Sequence, residues 1–280
     1  MRITCLVDNS VATSTHLWGE HGLAFYIETP AGNAMLDTGQ SGTVLLHNME
    51  AMGIRPEELD ALAISHGHSD HSGGLSALLV LTRSGLPLYA NPDLFRRRYS
   101  KHGESYEDIG IPLSREALED RVSLHLDAGP QVLLPGIWTT GEIQPRPEVL
   151  GSSRRHWVSA GEAYQQDRYA DDMALVVETE AGLVLLFGCG HAGLLNTLAH
   201  VQRLSDRPIV TIAGGTHLTS ADDAHLEHVI AVLRELPALH SIYLNHCSGD
   251  HALYALRQAF GAERVRPCPA GTQFGAGGEP

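Results

Sequence analysis

One stretch of ten residues, SHGHSDHSGG at 65–74, constrains the fold of this chain more than any other. It holds four strong metal ligands within six positions, His66, His68, Asp70 and His71. The apolar run at 61–64 predicts a buried strand before it, and the apolar run at 75–79 predicts the start of a helix after it. The glycines at 73 and 74 permit a tight turn between the two. The stretch is therefore expected to be a ligand-bearing loop that leads from a strand into a helix.

The spacing of these ligands also predicts that they converge. Alternate residues of an extended chain share a face, so His66, His68 and Asp70 are expected to point the same way. His71 has the opposite parity, and the turn into the helix is expected to bring its ring round. Imidazole nitrogens with one carboxylate suit zinc, iron or manganese, and a cluster without a thiolate does not favour a closed structural zinc site. The alternative interpretation is a polar loop that happens to be rich in histidine.

The pattern His-x-His-x-Asp-His after a strand resembles the signature of the metallo-β-lactamase fold superfamily. That resemblance implies an α/β protein with an αβ/βα four-layer sandwich, in which mixed sheets carry helices on their outer faces. It also implies one or two metal ions at the sheet edge that activate water for hydrolysis. Further motifs are similar to those of one subgroup, the metal-dependent hydrolases that include the archaeal 7,8-dihydropterin-6-methyl-4-(β-D-ribofuranosyl)aminobenzene-5'-phosphate synthase. They are VDN at 7–9, EHGL at 20–23, GCGHAG at 188–193, GGTHL at 214–218 and HCSG at 246–249.

Three later strands are each predicted to end in a histidine that opens a helix, namely His191, His217 and His246. The carboxyl ends of strands are where α/β proteins collect their chemistry. One such histidine alone is more often a buried structural residue, but three at equivalent strand ends favour a metal site. The resemblance implies that His191 and His246 bind metal, with Cys189 as the alternative to His191. It assigns His217 either to a ligand position or to contact with the substrate.

Three further assignments depend on the resemblance. The usual third histidine of the superfamily, in a Pro-Gly-His turn, is missing, and the matching stretch ends in Glu142. Either Glu142 takes its place or the first metal site has fewer ligands, and this departure argues against β-lactam hydrolysis. Asp37, after the early hairpin, is implied to support the ligand loop without binding metal. His21 is predicted either to line the pocket or to be an ordinary loop histidine.

The length of 280 residues is consistent with one domain, alone or with an insertion. We predict a single domain at 1–274, in which irregular polar segments at about 92–120 and 144–170 form a loop or insert over the active site. The glycine-rich residues 275–280 predict a flexible tail.

The net charge of −14 argues against a nucleic-acid partner, because such partners require a basic surface. The chain has no apolar run long enough to span a membrane, and its first eight residues predict a strand and not a signal peptide. The cysteines at 5, 189, 247 and 268 form no C-x-x-C pair, which fits a reducing compartment. We therefore expect a cytoplasmic protein that acts on a small anionic substrate without a membrane partner, and we leave a homo-oligomer open.

The first functional hypothesis is a metal-dependent hydrolase. Two divalent cations, zinc first and iron or manganese as alternatives, would lower the pKa of bound water for attack on an ester or phosphoester. Asp70 and His217 are its predicted catalytic residues. The second hypothesis is a transferase of the pterin-condensing type, with a pterin stacked near Trp138, Trp157 and Tyr164. The third is a metal-binding sensor without turnover.

Overall fold

A computed structural model of the chain describes residues 1–161 and 163–275. The predicted tail at 275–280 lies outside the described residues except for Gly275, which ends the last strand. The strands of the described residues, in chain order, are β1 (Arg2–Val7), β2 (Ala24–Thr29), β3 (Gly32–Leu36), β4 (Ala61–Ala63), β5 (Leu86–Ala90), β6 (Arg98–His102), β7 (Ser105–Asp108), β8 (Val122–Leu126), β9 (Val132–Leu134), β10 (Ile137–Thr139), β11 (His156–Ala160), β12 (Ala163–Gln166), β13 (Leu175–Glu178), β14 (Leu183–Phe187), β15 (Ile209–Gly214), β16 (Ser241–Leu244), β17 (Val265–Pro267) and β18 (Gln273–Gly275). The α-helices are α1 (Gly42–Ala51), α2 (Ser69–Ser72), α3 (Leu75–Leu81), α4 (Arg115–Glu119), α5 (Leu194–Leu204), α6 (Asp223–Arg234) and α7 (Asp250–Phe260), with short 3₁₀ turns at Pro56–Glu58 and Pro92–Phe95.

Two seven-stranded mixed sheets form the centre of the fold. The first has the strand order β18-β1-β2-β3-β4-β5-β8, and the second has the order β17-β16-β15-β14-β13-β10-β9. The run from β3 to β8 in the first sheet is parallel, and so is the run from β14 to β17 in the second. The loops that follow these parallel strands therefore leave each sheet at one edge.

Apolar side chains explain how the layers assemble. Residues of both sheets form one core between them, including Phe25 and Leu36 of the first sheet and Val184 and Leu186 of the second. The outer face of the first sheet packs against α1, α3 and α4, and that of the second packs against α5, α6 and α7. The order helix, sheet, sheet, helix confirms the predicted αβ/βα four-layer sandwich. None of the helices among the described residues has the length and apolar character needed to cross a membrane.

A third, four-stranded sheet has the order β12-β11-β6-β7. It joins the two irregular segments, because β6 lies within 92–120 and β11 lies within 144–170, and these strands pair antiparallel. The segment 144–170 is thus more than a loop, since it contains the hairpin of β11 and β12. The hairpin gains its third and fourth strands only from the other segment, which lies far away in the sequence.

The two faces of the third sheet carry different side chains. The strand registers place Tyr99 and Trp157 opposite each other on one face, with the stacked rings of Tyr106 and Tyr164 beside them. Alternate residues point to the other face, where Ser100 and His156 lie opposite each other. This second, polar face of the third sheet borders the cavity described next.

Candidate metal centre

A cavity of about 570 Å³ lies at the sheet edge where β4, β14, β15 and β16 end. The loop after each of these strands contributes to its lining, and so does the third sheet. Most of the histidines predicted from the sequence line this cavity or lie directly beneath it. The lining includes His21, His68, Asp70, Cys189, His191, His217 and His246.

Four donor atoms converge at one place in the cavity, and we call their residues the first donor group: Asp70, His71, Cys189 and His246. His71 Nε2 lies 3.2 Å from Cys189 Sγ and 3.3 Å from His246 Nε2, and the latter two atoms are 3.3 Å apart. Asp70 Oδ2 lies 3.5 Å from His71 Nε2 and 3.4 Å from His246 Nε2. A tetrahedron with ligands about 2.1 Å from its centre has edges of about 3.4 Å. The four donors are therefore spaced as for one tetrahedral divalent cation.

A second donor group adjoins the first and consists of His66, His68, His191 and Cys189. His68 Nδ1 lies 3.0 Å from His66 Nε2 and 3.3 Å from His191 Nε2. Donor atoms of His66, Cys189 and His191 lie within 4.8 Å of one another. Because Cys189 belongs to both groups, its sulfur lies where a ligand shared by two cations would lie.

Oxygen atoms behind the rings fix which ring nitrogen carries the proton. Asp37 Oδ2 accepts a hydrogen bond from His71 Nδ1 at 2.7 Å. Ser65 Oγ donates its proton to Asp37 Oδ2 at 2.7 Å, so it accepts from His66 Nδ1 at 2.9 Å. In both rings Nδ1 therefore faces the oxygen and donates its proton, and Nε2 is the nitrogen directed to the donor groups.

The same arrangement recurs at two other rings. The carbonyl oxygen of Gly151 accepts from His191 Nδ1 at 2.7 Å, and Asn9 Oδ1 accepts from His246 Nδ1 at 3.0 Å. His68 has the reverse orientation, with Nδ1 in the donor group and a buried Nε2 that has no hydrogen-bond partner. His66 Nε2 and His191 Nε2 both approach His68 Nδ1, at 3.0 and 3.3 Å, and that nitrogen has at most one proton to donate to the two, so the cluster lacks donors that a cation would replace. The chemistry of this donor set therefore fits bound divalent cations.

Burial and neighbouring charges set the pKa values of the imidazole rings in the donor groups. Burial, with a smaller effect of neighbouring imidazoles, holds the pKa of His66, His68 and His191 well below the usual value, so these rings are neutral at pH 7. Burial also acts downward on the pKa of His71, but two adjacent aspartates outweigh it and raise that pKa to about 9, so a bound cation would displace the proton from Nε2. The same negative field favours a cation at His71 Nε2.

Two predicted residues lie at the cavity without belonging to a donor group. His217 packs beside the second donor group, with its ring centroid 4.6 Å from that of His191 and its Nδ1 buried without a partner. His21 lies at the rim, where its Nε2 is 3.3 Å from Asp70 Oδ2. Both side chains line the same space as the donor groups.

Glu142 lies outside both donor groups. Its carboxylate accepts a hydrogen bond from the side chain of Gln144 at 3.0 Å. In the structure His191 completes the second donor group, because the chain turns at Gly190, with φ of +66°, after Cys189. Two residues of one strand-to-helix turn thus contribute donor atoms to the site, whereas the family resemblance implies only one of the two.

Backbone conformation at the site is unusual at four residues. Asp37, Tyr169, His217 and His246 have φ values of +61°, +50°, +49° and +50°, in the left-handed region that costs a non-glycine residue free energy. Such conformations cluster at functional sites, where the surrounding structure holds them in place. Asp8 holds one of them, because its Oδ1 accepts from the backbone N–H of His246 at 2.8 Å.

Three further residues lie at the site although no sequence pattern predicts them there: Asp8, His156 and Tyr169. Asp8 lies within the VDN motif, which was the available signal. His156 lies in the cavity wall, and the Tyr169 ring stacks on the His191 ring at a centroid distance of 4.1 Å. Neither residue stands in a periodic pattern or a recognisable motif, so only the pairing of β6 with β11 and the chain path after it bring them to the site.

Comparisons with known proteins agree with this fold. A model of the metallo-β-lactamase superfamily matches residues 17–141. A crystal structure described as a metal-dependent hydrolase of the β-lactamase superfamily superposes with a TM-score of 0.83 and 26% identity, over 99% of both chains. The 7,8-dihydropterin-6-methyl-4-(β-D-ribofuranosyl)-aminobenzene-5'-phosphate synthase of Methanocaldococcus jannaschii is 27% identical over 90% of this chain and 89% of its own. Exodeoxyribonuclease WalJ of Streptococcus pneumoniae is 38% identical, over 26% of each chain.

The chain therefore contains a metallo-β-lactamase superfamily domain, matched at residues 17–141, and has the fold of that superfamily. It is an enzyme of this superfamily, and its similarity to the archaeal synthase extends over most of both chains. The family resemblance inferred from the sequence motifs is confirmed.

Proposed function

We propose that the protein is a metal-dependent hydrolase that holds two divalent cations and acts on a small anionic ester or phosphoester. One observation carries the proposal: the two donor groups share Cys189 and converge on the floor of one cavity. Hydrogen bonds behind the rings orient the donors before any ligand binds, as in sites where supporting residues tune a metal.

In this proposal each donor group would hold one cation, and Cys189 would be a ligand in both groups. Bound cations supply Lewis acidity and lower the pKa of water at the site toward neutrality. The protein contributes the orientation of the rings and a cavity that limits access by bulk water. The ligands would be Asp70, His71, Cys189 and His246 for one cation, and His66, His68, Cys189 and His191 for the other.

Asp70 and His217 are the proposed catalytic residues. Burial raises the pKa of Asp70, but the imidazoles of His71 and His246 outweigh it and hold this pKa well below its usual value. Asp70 is therefore ionised, and its carboxylate oxygen that does not belong to the donor group is the one we assign to accept a proton from the attacking water. Burial lowers the pKa of His217 to about 4, so its ring is neutral at pH 7 and contacts the substrate as a hydrogen-bonding group.

Zinc is the cation that the donors favour. A thiolate with imidazoles in tetrahedral spacing is a preferred zinc environment, and imidazole and carboxylate ligands also accept iron and manganese. Elemental analysis of the purified protein distinguishes these metals directly.

The cavity supports a small substrate. Its volume of about 570 Å³ suits a single small molecule, and its described lining residues include no lysine or arginine. The cations would then provide the positive charge for an anionic group of the substrate. The net charge of −14 is unfavourable for a nucleic-acid partner, so we propose that neither nucleic acid nor a membrane is bound.

The test combines metal analysis with hydrolysis of a panel of p-nitrophenyl esters and phosphoesters. We expect two metal ions per chain and turnover of at least one substrate, with activity lost in Asp70→Asn and kept in His125→Gln. His125 is an exposed residue of β8 that stacks on Tyr89, away from the cavity. Protein with fewer than two metals, or activity that survives in Asp70→Asn, would contradict the proposal.

The second candidate is a transferase of the pterin-condensing type, which the 27% identity to the archaeal synthase favours. The three aromatic residues expected to stack on a pterin do not line the cavity among the described residues. Trp138 instead donates its Nε1–H to Glu178 at 3.0 Å, and Trp157 and Tyr164 lie on the other face of the third sheet. Release of diphosphate from a pterin diphosphate, measured with and without an arylamine acceptor, separates the candidates. Release that requires the amine indicates a transferase.

The same assays address a sensor without turnover. Two bound metals together with no activity in the ester, phosphoester and diphosphate assays would favour this third role over both enzymatic candidates. Turnover of any of these substrates that depends on Asp70 would exclude it.

A further inference from the structure

His156 lies in the cavity wall, although the proposed mechanism does not use it. It begins β11 and pairs with Ser100 of β6, and both residues line the cavity. One of its ring nitrogens lies within 4.8 Å of ring nitrogens of His68 and His191. Its ring centroid is 4.9 Å from that of His68, with the two planes nearly perpendicular. The third sheet thus places an imidazole beside the second donor group.

The hydroxyl group of Tyr169 fixes the proton on this imidazole. The backbone N–H of Ser153 donates to Tyr169 Oη at 2.9 Å, so that oxygen acts as an acceptor there. The same oxygen lies 3.1 Å from His156 Nδ1, and the described residues offer the hydroxyl proton no other acceptor. The hydroxyl therefore donates to Nδ1, and the neutral His156 ring carries its proton on Nε2.

Tyr169 is itself held firmly. Its side chain is fully buried, its ring is nearly parallel to that of His191 at 4.1 Å, and its backbone N–H donates to Asp167 Oδ1 at 2.7 Å. The orientation of His156 is therefore set by a residue that also packs on a histidine of the second donor group.

We propose that His156 is a substrate-binding residue that donates its Nε2–H to an oxygen of the substrate's anionic group. The inference depends on the proposed function, because it takes that group to lie at the two donor groups. A neutral donor has particular value here, since the described lining offers an anion no lysine or arginine. Tyr169 is then a positioning residue that acts through His156.

Binding of inorganic phosphate to the zinc-loaded full-length protein tests this inference. The measurement is titration calorimetry, with zinc content determined on the same samples. His156→Ala should weaken phosphate binding about five- to ten-fold, as expected for the loss of one hydrogen bond. His156→Gln should retain most of the affinity, because its amide can donate in place of the ring. The zinc content should stay the same in both variants.

Tyr169→Phe provides an independent variant, because it removes the hydroxyl and keeps the ring that packs on His191. It should weaken phosphate binding by a smaller factor than His156→Ala, since Nε2 is no longer the fixed site of the proton. The exposed His125→Gln variant should bind phosphate like the wild type. With a hydrolysed p-nitrophenyl phosphoester, His156→Ala should raise KM by the same factor and change kcat less.

Unchanged phosphate affinity in His156→Ala would overturn the inference. Loss of zinc in this variant would also overturn it, because His156 would then be a metal ligand. Absence of phosphate binding by the zinc-loaded wild type would count against it in the same way. A different result would show that only the proposed function is wrong. In that case, wild-type protein with two zinc ions would bind phosphate through His156 but hydrolyse no ester.

Discussion

Asp37 Oδ2 accepts a hydrogen bond from His71 Nδ1 at 2.7 Å, and both side chains are fully buried. The other oxygen of Asp37 accepts from the backbone N–H of Ser65, also at 2.7 Å. One carboxylate therefore orients a ring of the first donor group and anchors the start of the ligand loop. On these contacts we propose for Asp37 the supporting role that the family resemblance implies.

Asp37→Asn tests this support. Asparagine tolerates the φ of +61° and can still accept from Ser65, but its amide would turn an N–H toward His71 Nδ1. We expect zinc affinity to fall about 10- to 100-fold, the range found for residues behind metal ligands. Competition with a chelator of known affinity measures the change. Wild-type affinity in the variant would show that Asp37 does not orient the ligand.

Cys189 is the residue that the two donor groups share. Cys189→Ser replaces the thiolate with a weaker donor, so we expect the zinc content to fall from two ions per chain to one. Cys189→Asp keeps an anionic donor able to contact two cations, and we expect it to retain two. The matched control is Cys247→Ser, since Cys247 lines the cavity but belongs to neither donor group. Two zinc ions in Cys189→Ser would contradict a shared ligand.

The parts of this fold that follow from the sequence are those with a local signal. Apolar strands that end in histidine predict the sheet edge, because a buried parallel strand needs a continuous apolar run and its loop opens toward the site. The four ligands of the first motif lie close together in the sequence, so the local path of the backbone decides whether they converge. They are His66, His68, Asp70 and His71. Cys189 and His191 both provide donor atoms because the chain turns sharply at Gly190. The residue types alone do not determine the direction of that turn.

His156 shows why the rest could not be predicted. Its position depends on β6 pairing with β11, whose residues Ser100 and His156 are opposite each other. The residues between these strands form parts of both central sheets, and no repeat or motif marks the pairing. Glu142 is the opposite case. Its stretch matches the place of the superfamily's third histidine and so suggested a metal ligand, but in the structure its carboxylate accepts a hydrogen bond from Gln144.

Arg98 is fully buried and links the third sheet to the ligand loop. Its guanidinium lies 2.6 Å from Asp171 and 3.1 Å from Asp167, and Asp171 accepts from the backbone N–H of Gly67 at 2.6 Å. Arg98→Met would leave two buried carboxylates without a counter-charge. We expect a loss of about 3–5 kcal/mol in the free energy of unfolding, measured by urea denaturation.

The neighbouring residue provides a matched control for this variant. Arg97 is exposed and lies 3.7 Å from Asp108, so Arg97→Met should change the free energy of unfolding by at most about 1 kcal/mol. Equal losses in the two variants would contradict a special role for the buried guanidinium.

Asp172 should make the stability of the protein depend on pH. Its Oδ2 accepts from the backbone N–H of Ala192 at 2.7 Å, while its Oδ1 is buried without a partner. Burial raises the pKa of Asp172 to about 7 in the folded protein, against about 3.9 in an unfolded chain. Between these values the folded state binds more protons than the unfolded state. The contribution of Asp172 to stability therefore falls as pH rises from about 4 to about 7 and is constant above that.

Asp172→Asn removes this titration and keeps an oxygen for the N–H of Ala192. Relative to wild type, the variant should gain up to about 4 kcal/mol in the free energy of unfolding between pH 4 and pH 7, which corresponds to three pKa units. Urea denaturation in the presence of a chelator measures this without a contribution from bound metal. The exposed Asp120→Asn variant should follow the wild-type curve at every pH. Parallel curves for wild type and Asp172→Asn would mean that this carboxyl is ionised in the folded protein, and that the N–H of Ala192 together with the charges around it outweighs burial.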